Sequence, residues 1–105
     1  MVGGRACARS PRQMTPDPEA WPETPSTDPA VEAIRQIARA LGSTLDERNW
    51  SLRRVTAGSR VNRQAIADLL AGRSWPDVAT VARLTAFAWT ALWPTGLTID
   101  RRTEH

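Results

Sequence analysis

The sequence contains no lysine and no tyrosine, and it has only one cysteine, Cys7, and one histidine, His105. A single cysteine cannot form an internal disulfide, and one cysteine with one histidine supplies no metal-binding spacing. No serine lies near a histidine, and no pair of carboxylates or glycine-rich phosphate loop can be assembled from the sequence. We therefore expect no enzymatic activity, no metal site and no cofactor.

Long apolar runs are also missing. No segment approaches the ~20 apolar residues that a membrane-spanning helix needs. The first residues, MVGGRACARSPRQM, carry positive charge but lack the apolar core of a secretory signal. We expect a cytoplasmic protein in a reducing compartment, with no membrane association and no evident small-molecule ligand.

Prolines and polar residues dominate residues 1–27, where Trp21 is the main group available for burial. This composition predicts a disordered Pro-rich tail over residues 1–27. Its basic beginning would suit an arm that touches phosphate or a minor groove, although disorder without function is the favoured interpretation. Trp21 would anchor the tail to the domain or to a partner. We expect residues 28–97 to fold without this tail.

The first helix is predicted from Asp28 as N-cap, with Pro29 at the first helical position, to about Arg48 or Asn49. Its apolar positions form one stripe: Val31, Ile34, Ile37, Ala38, Leu41 and Leu45. The charged residues Glu32, Arg35 and Arg39 would point outward. Trp50 would then pack over the junction with the next helix.

The segment SLRRVTAGSRVNRQAIADLLAGRSWPD, residues 51–77, predicts two short helices joined by a tight turn. The first would run from Ser51 as N-cap to about Gly58. The second would run from Asn62 as N-cap to Ala71 and be closed by Gly72. Helical spacing buries Ala65, Ile66, Leu69 and Leu70 and turns outward Arg63, Gln64, Ala67, Asp68 and Ala71.

A fourth helix is predicted after a loop at residues 73–77, with Pro76 in its first turn and its buried face formed by Val78, Val81, Leu84, Thr85 and Ala88. Trp75 would be a lid over the core or, less favoured, a partner surface. The helix would continue to about Trp93, and the Trp-rich segment 87–93 would close the core or form a homodimer contact. The fold class is therefore all-α, a small four- to five-helix bundle over residues 28–97, followed by a C-terminal tail at 98–105.

Charge is concentrated in the central segment. Between Leu52 and Arg73 there are five arginines and one acid, Asp68, within a chain of net charge +3. Such an excess is typical of a surface that binds a polyanion, and a solvated basic face is the alternative. Arg63 can bridge the O6 and N7 atoms of guanine, and Gln64 can bridge N6 and N7 of adenine.

The motifs SLRRV, VNRQAI, LLAGRSWPD and VATVARL resemble the helix-turn-helix of the lambda repressor-like family, also called the XRE family, over roughly residues 29–95. The chain departs from the family pattern in having Thr56 in place of a small residue. It also has Arg60 in place of the turn glycine, which implies a positive φ at an arginine. The resemblance implies a DNA-binding domain whose helix 62–71 reads the major groove, acting as a twofold dimer on palindromic sites.

The expected function is that of a sequence-specific transcriptional regulator of the repressor type, associated with the nucleoid. The alternative is a small antitoxin-like or adaptor protein whose main role is to bind a protein partner. The expected base contacts are Arg63, Gln64, Ala67 and Asp68, and the expected backbone contacts are Arg53, Arg54, Arg60, Asn62, Arg73 and Ser74. Asp68 would accept from cytosine, restrain Arg63 or Gln64, or repel phosphate.

Overall fold

The computed structural model describes residues 9–88, which contain four α-helices and no β-strand. The helices are α1 (Pro29–Arg48), α2 (Leu52–Ser59), α3 (Arg63–Ala71) and α4 (Val78–Ala88), preceded by two 3-10 turns at Arg12–Met14 and Pro18–Ala20. The prediction of a small all-α bundle is confirmed. Predictions for residues 1–8 and 89–105, including most of the proposed dimer segment and the C-terminal tail, lie outside the described residues.

Helix α1 begins as its sequence predicts. The Asp28 carboxylate accepts hydrogen bonds from the backbone N–H groups of Ala30 at 2.8 Å and Val31 at 3.3 Å. Pro29 occupies the first helical position, where its missing N–H costs no hydrogen bond. The helix ends at Arg48, and Asn49 adopts the left-handed conformation with φ of 53°. Both predicted ends of α1 are confirmed.

The hydrophobic core receives side chains from every helix. Its buried apolar residues are Val31, Ile37, Ala38, Leu41, Leu45, Val55, Val61, Ile66, Leu69, Val81, Leu84 and Ala88. Helix α3 packs against α1 on one side and α2 on the other, and α2 also packs against α4. Because α3 is held by two neighbours, its outward side chains have a fixed position on the bundle. Among residues 9–88, no helix has the length and apolar character needed to cross a membrane.

Two side chains differ from their predicted placement. Arg35, expected to point outward, is only 8% exposed because it pairs with Glu32 and donates to the Pro22 carbonyl at 2.9 Å. Val78, expected in the core, is 68% exposed because α4 begins at this residue, one turn before Val81 reaches the core. Pro76 consequently precedes the helix instead of lying in its first turn.

The N-terminal segment, residues 9–27, is folded against the helices. The Trp21 indole N–H donates to the Leu70 carbonyl at 3.0 Å, and the Arg12 backbone N–H donates to the Gly72 carbonyl at 3.0 Å. Pro11 is fully buried. For residues 9–27 this corrects the prediction of a disordered tail. Restricted proline backbones lower the entropy lost on ordering, and the indole supplies a hydrogen bond that apolar periodicity does not reveal.

A second attachment joins the same segment to α1 through the Glu32 carboxylate. Its two oxygens accept from the Arg35 guanidinium at 2.8 and 2.6 Å, and Oε1 also accepts from the Ser26 backbone N–H at 2.9 Å. The hydrogen bonds from Arg35 are the main reason that the pKa of Glu32 falls from 4.5 to about 2, although burial acts in the opposite direction. An exposed ion pair between Glu23 and Arg39, 3.3 Å apart, adds a weaker contact.

We predict that Trp21→Ala lowers the free energy of unfolding by about 1–3 kcal/mol, since it removes a half-buried ring and leaves the Leu70 carbonyl unpaired. Trp21→Phe retains most of the ring and should cost about 1 kcal/mol, the contribution of one hydrogen bond. Urea denaturation followed by circular dichroism measures both, with the exposed Glu19→Ala as control. If Trp21→Ala and Glu19→Ala have equal stability, the segment does not support the bundle.

The lowered pKa of Glu32 predicts a specific loss of stability in acid. Because the folded-state pKa lies below the ordinary value of 4.5, the stabilisation is fully present above pH 4.5 and is lost as the pH falls towards about 2. Urea denaturation at pH 6 and pH 3 should show a smaller acid loss for Glu32→Gln than for the wild type. Glu47→Gln, an exposed change on the same helix, should retain the wild-type acid loss. Equal acid losses in all three proteins would contradict this prediction.

Candidate nucleic-acid interface

The candidate interface is built on the turn between α2 and α3. Helix α2 ends at Ser59 and is capped by Arg60, whose φ of 67° is left-handed and whose N–H donates to the Thr56 carbonyl at 2.9 Å. The Asn62 side-chain oxygen then accepts from the N–H groups of Gln64 at 2.7 Å and Ala65 at 3.3 Å, which starts α3. The predicted cap residue of α3 and the positive φ at Arg60 are confirmed.

The turn is anchored to the core between these caps. The Ser59 hydroxyl donates to the Val55 carbonyl at 2.6 Å and accepts from the Val61 N–H at 3.2 Å. Val61 is only 4% exposed, so its side chain fixes the turn against the bundle. The start of α3 is therefore set by both hydrogen bonds and packing.

Cationic side chains surround this turn. The side chains of Arg53, Arg60 and Arg63 are exposed and form no hydrogen bond or ion pair with any part of the chain between residues 9 and 88. The Arg54 guanidinium lies over the Trp50 ring, 5.5 Å from its centroid. Three of the five predicted contact arginines are thus available to an external anion, and a fourth, Arg54, is positioned by an aromatic ring.

Two predicted contact residues, Gln64 and Arg73, donate hydrogen bonds to the same carboxylate oxygen of a third, Asp68. Asp68 Oδ1 accepts from Gln64 Nε2 at 2.9 Å and from Arg73 Nε at 3.0 Å, and it lies 2.9 Å from Arg73 Nη2. The hydrogen bond from Gln64 and then that from Arg73 lower the pKa of Asp68 below its usual value of 3.8. The carboxylate is therefore ionised at neutral pH, with a polar and a cationic neighbour.

The end of α3 explains how Arg73 reaches Asp68. Gly72 adopts φ of 72°, its N–H donates to the Leu69 carbonyl, and the Arg73 N–H donates to the Asp68 carbonyl at 2.8 Å. This pair of bonds is a Schellman motif, which returns the chain over the last turn of the helix. A Cβ atom at Gly72 would also lie only 2.5 Å from the Trp21 ring. Glycine is thus required both by the backbone angle and by the tryptophan.

The other predicted contacts are Asn62, Ala67 and Ser74, of which Asn62 is exposed. Asn62 uses its side-chain oxygen to cap α3, which leaves its amide nitrogen as a donor to an external group. Ala67 and Ser74 are half-buried. Of the two departures from the family pattern, Arg60 takes the positive φ, while the Thr56 hydroxyl is buried and has no hydrogen-bond partner within residues 9–88.

The sequence did not indicate the position of Arg9. The Trp75 indole N–H donates to the Arg9 carbonyl at 2.9 Å, so an exposed arginine lies beside the loop that follows α3. Trp75 itself is 37% exposed and contacts the N-terminal segment, in addition to lining a groove beside Ile37 and Val81. The sequence indicated only that the beginning of this segment is basic, which does not specify where on the bundle Arg9 lies.

No protein-family model, curated protein or solved structure matches this chain. Residues 9–88 also contain no group of three or more histidine, cysteine, aspartate or glutamate residues arranged to hold a metal ion.

The backbone of Arg60 gives a prediction that is independent of any ligand. Arg60→Gly should be more stable than Arg60→Ala by about 1 kcal/mol, because glycine adopts a positive φ without the steric cost that alanine pays. Both variants lose the same charge, so their difference isolates the backbone effect. Thermal and urea denaturation provide the comparison, and equal stability of the two would show that the turn relaxes to another conformation.

Proposed function

We propose that this protein is a sequence-specific DNA-binding transcriptional regulator of the repressor type, with α3 lying in the major groove. The observation that carries the proposal is the exposed pair Arg63 and Gln64 at the start of α3, flanked by exposed arginines on α2 and in the turn. The resemblance to the lambda repressor-like family supports the same assignment, with α2 and α3 as its helix-turn-helix.

Base reading is assigned to the outward face of α3. Arg63 would donate two hydrogen bonds to guanine, and Gln64 would both donate to and accept from adenine. Ala67, one turn further on, is small enough to let the helix approach the base edges. Asp68 has one carboxylate oxygen, Oδ2, that forms no hydrogen bond with the described residues and would accept from cytosine N4.

Phosphate binding is assigned to residues on both sides of α3: Arg53, Arg54, Arg60, Asn62, Arg73 and Ser74. Their guanidinium, amide and hydroxyl groups are donors suited to phosphate oxygens. Each neutralised phosphate releases counterions, so affinity should fall as the salt concentration rises. A role at the nucleoid in the cytoplasm and a twofold dimer through residues 87–93 complete this proposal.

An alternative function, as an antitoxin-like or adaptor protein, is favoured by one feature of the surface. An apolar groove of about 270 Å³ lies between α1 and the start of α4, lined in part by Ile34, Trp75 and Val78. The exposed Val78 side chain at its rim is suited to contact with another protein. An adaptor would co-purify with a protein partner and bind DNA weakly and without sequence preference.

Selection of bound sites from a random DNA pool tests the proposal. The wild type should enrich one sequence. Gln64→Ala should lose about 1–3 kcal/mol of discrimination at one A·T position of each half-site, and Arg63→Ala should do the same at a neighbouring G·C position. Both exposed changes should alter stability by no more than roughly 0.5 kcal/mol.

Arg39→Ala provides the charge control, because it removes an exposed arginine from α1 and not from the α2–α3 surface. It should retain the wild-type site preference. If the wild type enriches no sequence, or if the Arg63 and Gln64 variants retain both its affinity and its preference, α3 does not read DNA. The adaptor function would then be the better proposal.

A further inference from the structure

We propose that Asp68 is a positioning residue that determines specificity, because it holds the Gln64 amide and the Arg73 guanidinium in one hydrogen-bonded network. This inference rests on the proposed DNA-binding function. It assigns Asp68 a role through two neighbouring side chains, which differs from reading a base directly.

The geometry of the network is asymmetric. Gln64 Nε2 and Arg73 Nε both donate to Oδ1 of Asp68, at 2.9 and 3.0 Å, and Arg73 Nη2 lies 2.9 Å from the same oxygen. Gln64 lies one helical turn before Asp68, and Arg73 is returned to it by the backbone bond from the Arg73 N–H to the Asp68 carbonyl. Asp68 thus bridges the start of α3 and the loop that follows its end.

The carboxylate selects one orientation of the Gln64 amide. An unrestrained glutamine amide can rotate to present its oxygen and nitrogen in either order, whereas an ionised carboxylate only accepts hydrogen bonds. Asp68 therefore holds the nitrogen side of the amide. One N–H and the carbonyl oxygen of Gln64 stay available, and these are the donor and acceptor that N7 and N6 of adenine require.

The same carboxylate orients Arg73. The Nε and Nη2 atoms of its guanidinium face Asp68, so the N–H groups on the opposite edge remain available to a phosphate. A guanidinium held in this way loses less conformational freedom when it binds. Asp68 therefore connects two functions through its hydrogen bonds: the phosphate contact of Arg73 and the base contact of Gln64.

Asp68 also lowers the affinity for DNA of random sequence. A carboxylate on the face that approaches DNA is repelled by phosphates, and this repulsion acts equally on all sequences. Loss of Asp68 should therefore have two opposite effects. Affinity for random DNA should rise, while discrimination at the base pair read by Gln64 should fall.

Two substitutions separate charge from positioning. Asp68→Ala should raise affinity for random DNA and lower discrimination at the A·T position about fivefold or more, a part of what a bidentate contact supplies. Asp68→Asn loses the charge but retains an acceptor oxygen of the same shape. It should raise affinity for random DNA as Asp68→Ala does, while retaining most of the discrimination. Equal discrimination by all three proteins would overturn the inference.

A double-mutant cycle tests the linkage directly. With Asp68 present, the fold-losses in specific affinity caused by Gln64→Ala and Arg73→Ala should not multiply in the double variant, because the two side chains share a partner. In the Asp68→Ala background the losses should multiply. If the losses in specific affinity still fail to multiply in the Asp68→Ala background, Asp68 does not link Gln64 to Arg73.

A measurement without DNA tests the hydrogen-bonded network of Asp68 separately from the proposed DNA-binding function. NMR relaxation of the Gln64 side-chain amide should show greater mobility in Asp68→Ala than in the wild type, and unchanged mobility would overturn the inference. If the wild type selects no sequence, the proposed function fails and the inference fails with it. If it selects one and Asp68→Ala reads adenine equally well, only the inference fails.

Discussion

The hydrogen bonds that cap the C-terminal end of α3 are the constraint on which the rest of the structure depends. The last carbonyl groups of a helix have no partner within it. Here the Leu70 carbonyl is satisfied by the Trp21 indole, and the Gly72 carbonyl by the Arg12 N–H. These bonds fix the direction in which the chain leaves α3, and this direction carries Arg73 to Asp68. The exposed polar network is therefore attached to the interior through the N-terminal segment.

The starts of α1, α2 and α3 and the end of α3 were predictable from the sequence because their causes are local. Asp28, Ser51 and Asn62 each cap a helix through bonds to N–H groups two or three residues ahead, and Gly72 supplies the left-handed residue that ends α3. The exposure of Arg63 and Gln64 follows from the same helical spacing. Fold class and the outward face of α3 were thus available from residue order and periodicity alone.

Contacts between distant residues were not predictable in this way. Trp21 and Arg35 obtain their partners, Leu70 and Pro22, from parts of the chain that no periodic pattern connects to them. A proline-rich composition describes a disordered tail and a packed extended segment equally well. The sequence did not decide among the three roles considered for Asp68. Its hydrogen bond with Arg73 depends on how the chain turns after α3, which residue order alone does not show.

The attachment of Trp21 also has a consequence for the growing chain during synthesis. Trp21 precedes its acceptor, the Leu70 carbonyl, by 49 residues, and Arg9 precedes Trp75 by 66. On the ribosome the N-terminal segment therefore has only its contacts with α1, through Pro22 and Ser26, until the end of α3 has emerged, because a nascent chain folds as its contacts become available. Residues 9–27 thus dock in two steps, first on α1 and then on the end of α3, and the second step brings Trp21 and Arg9 to their partners.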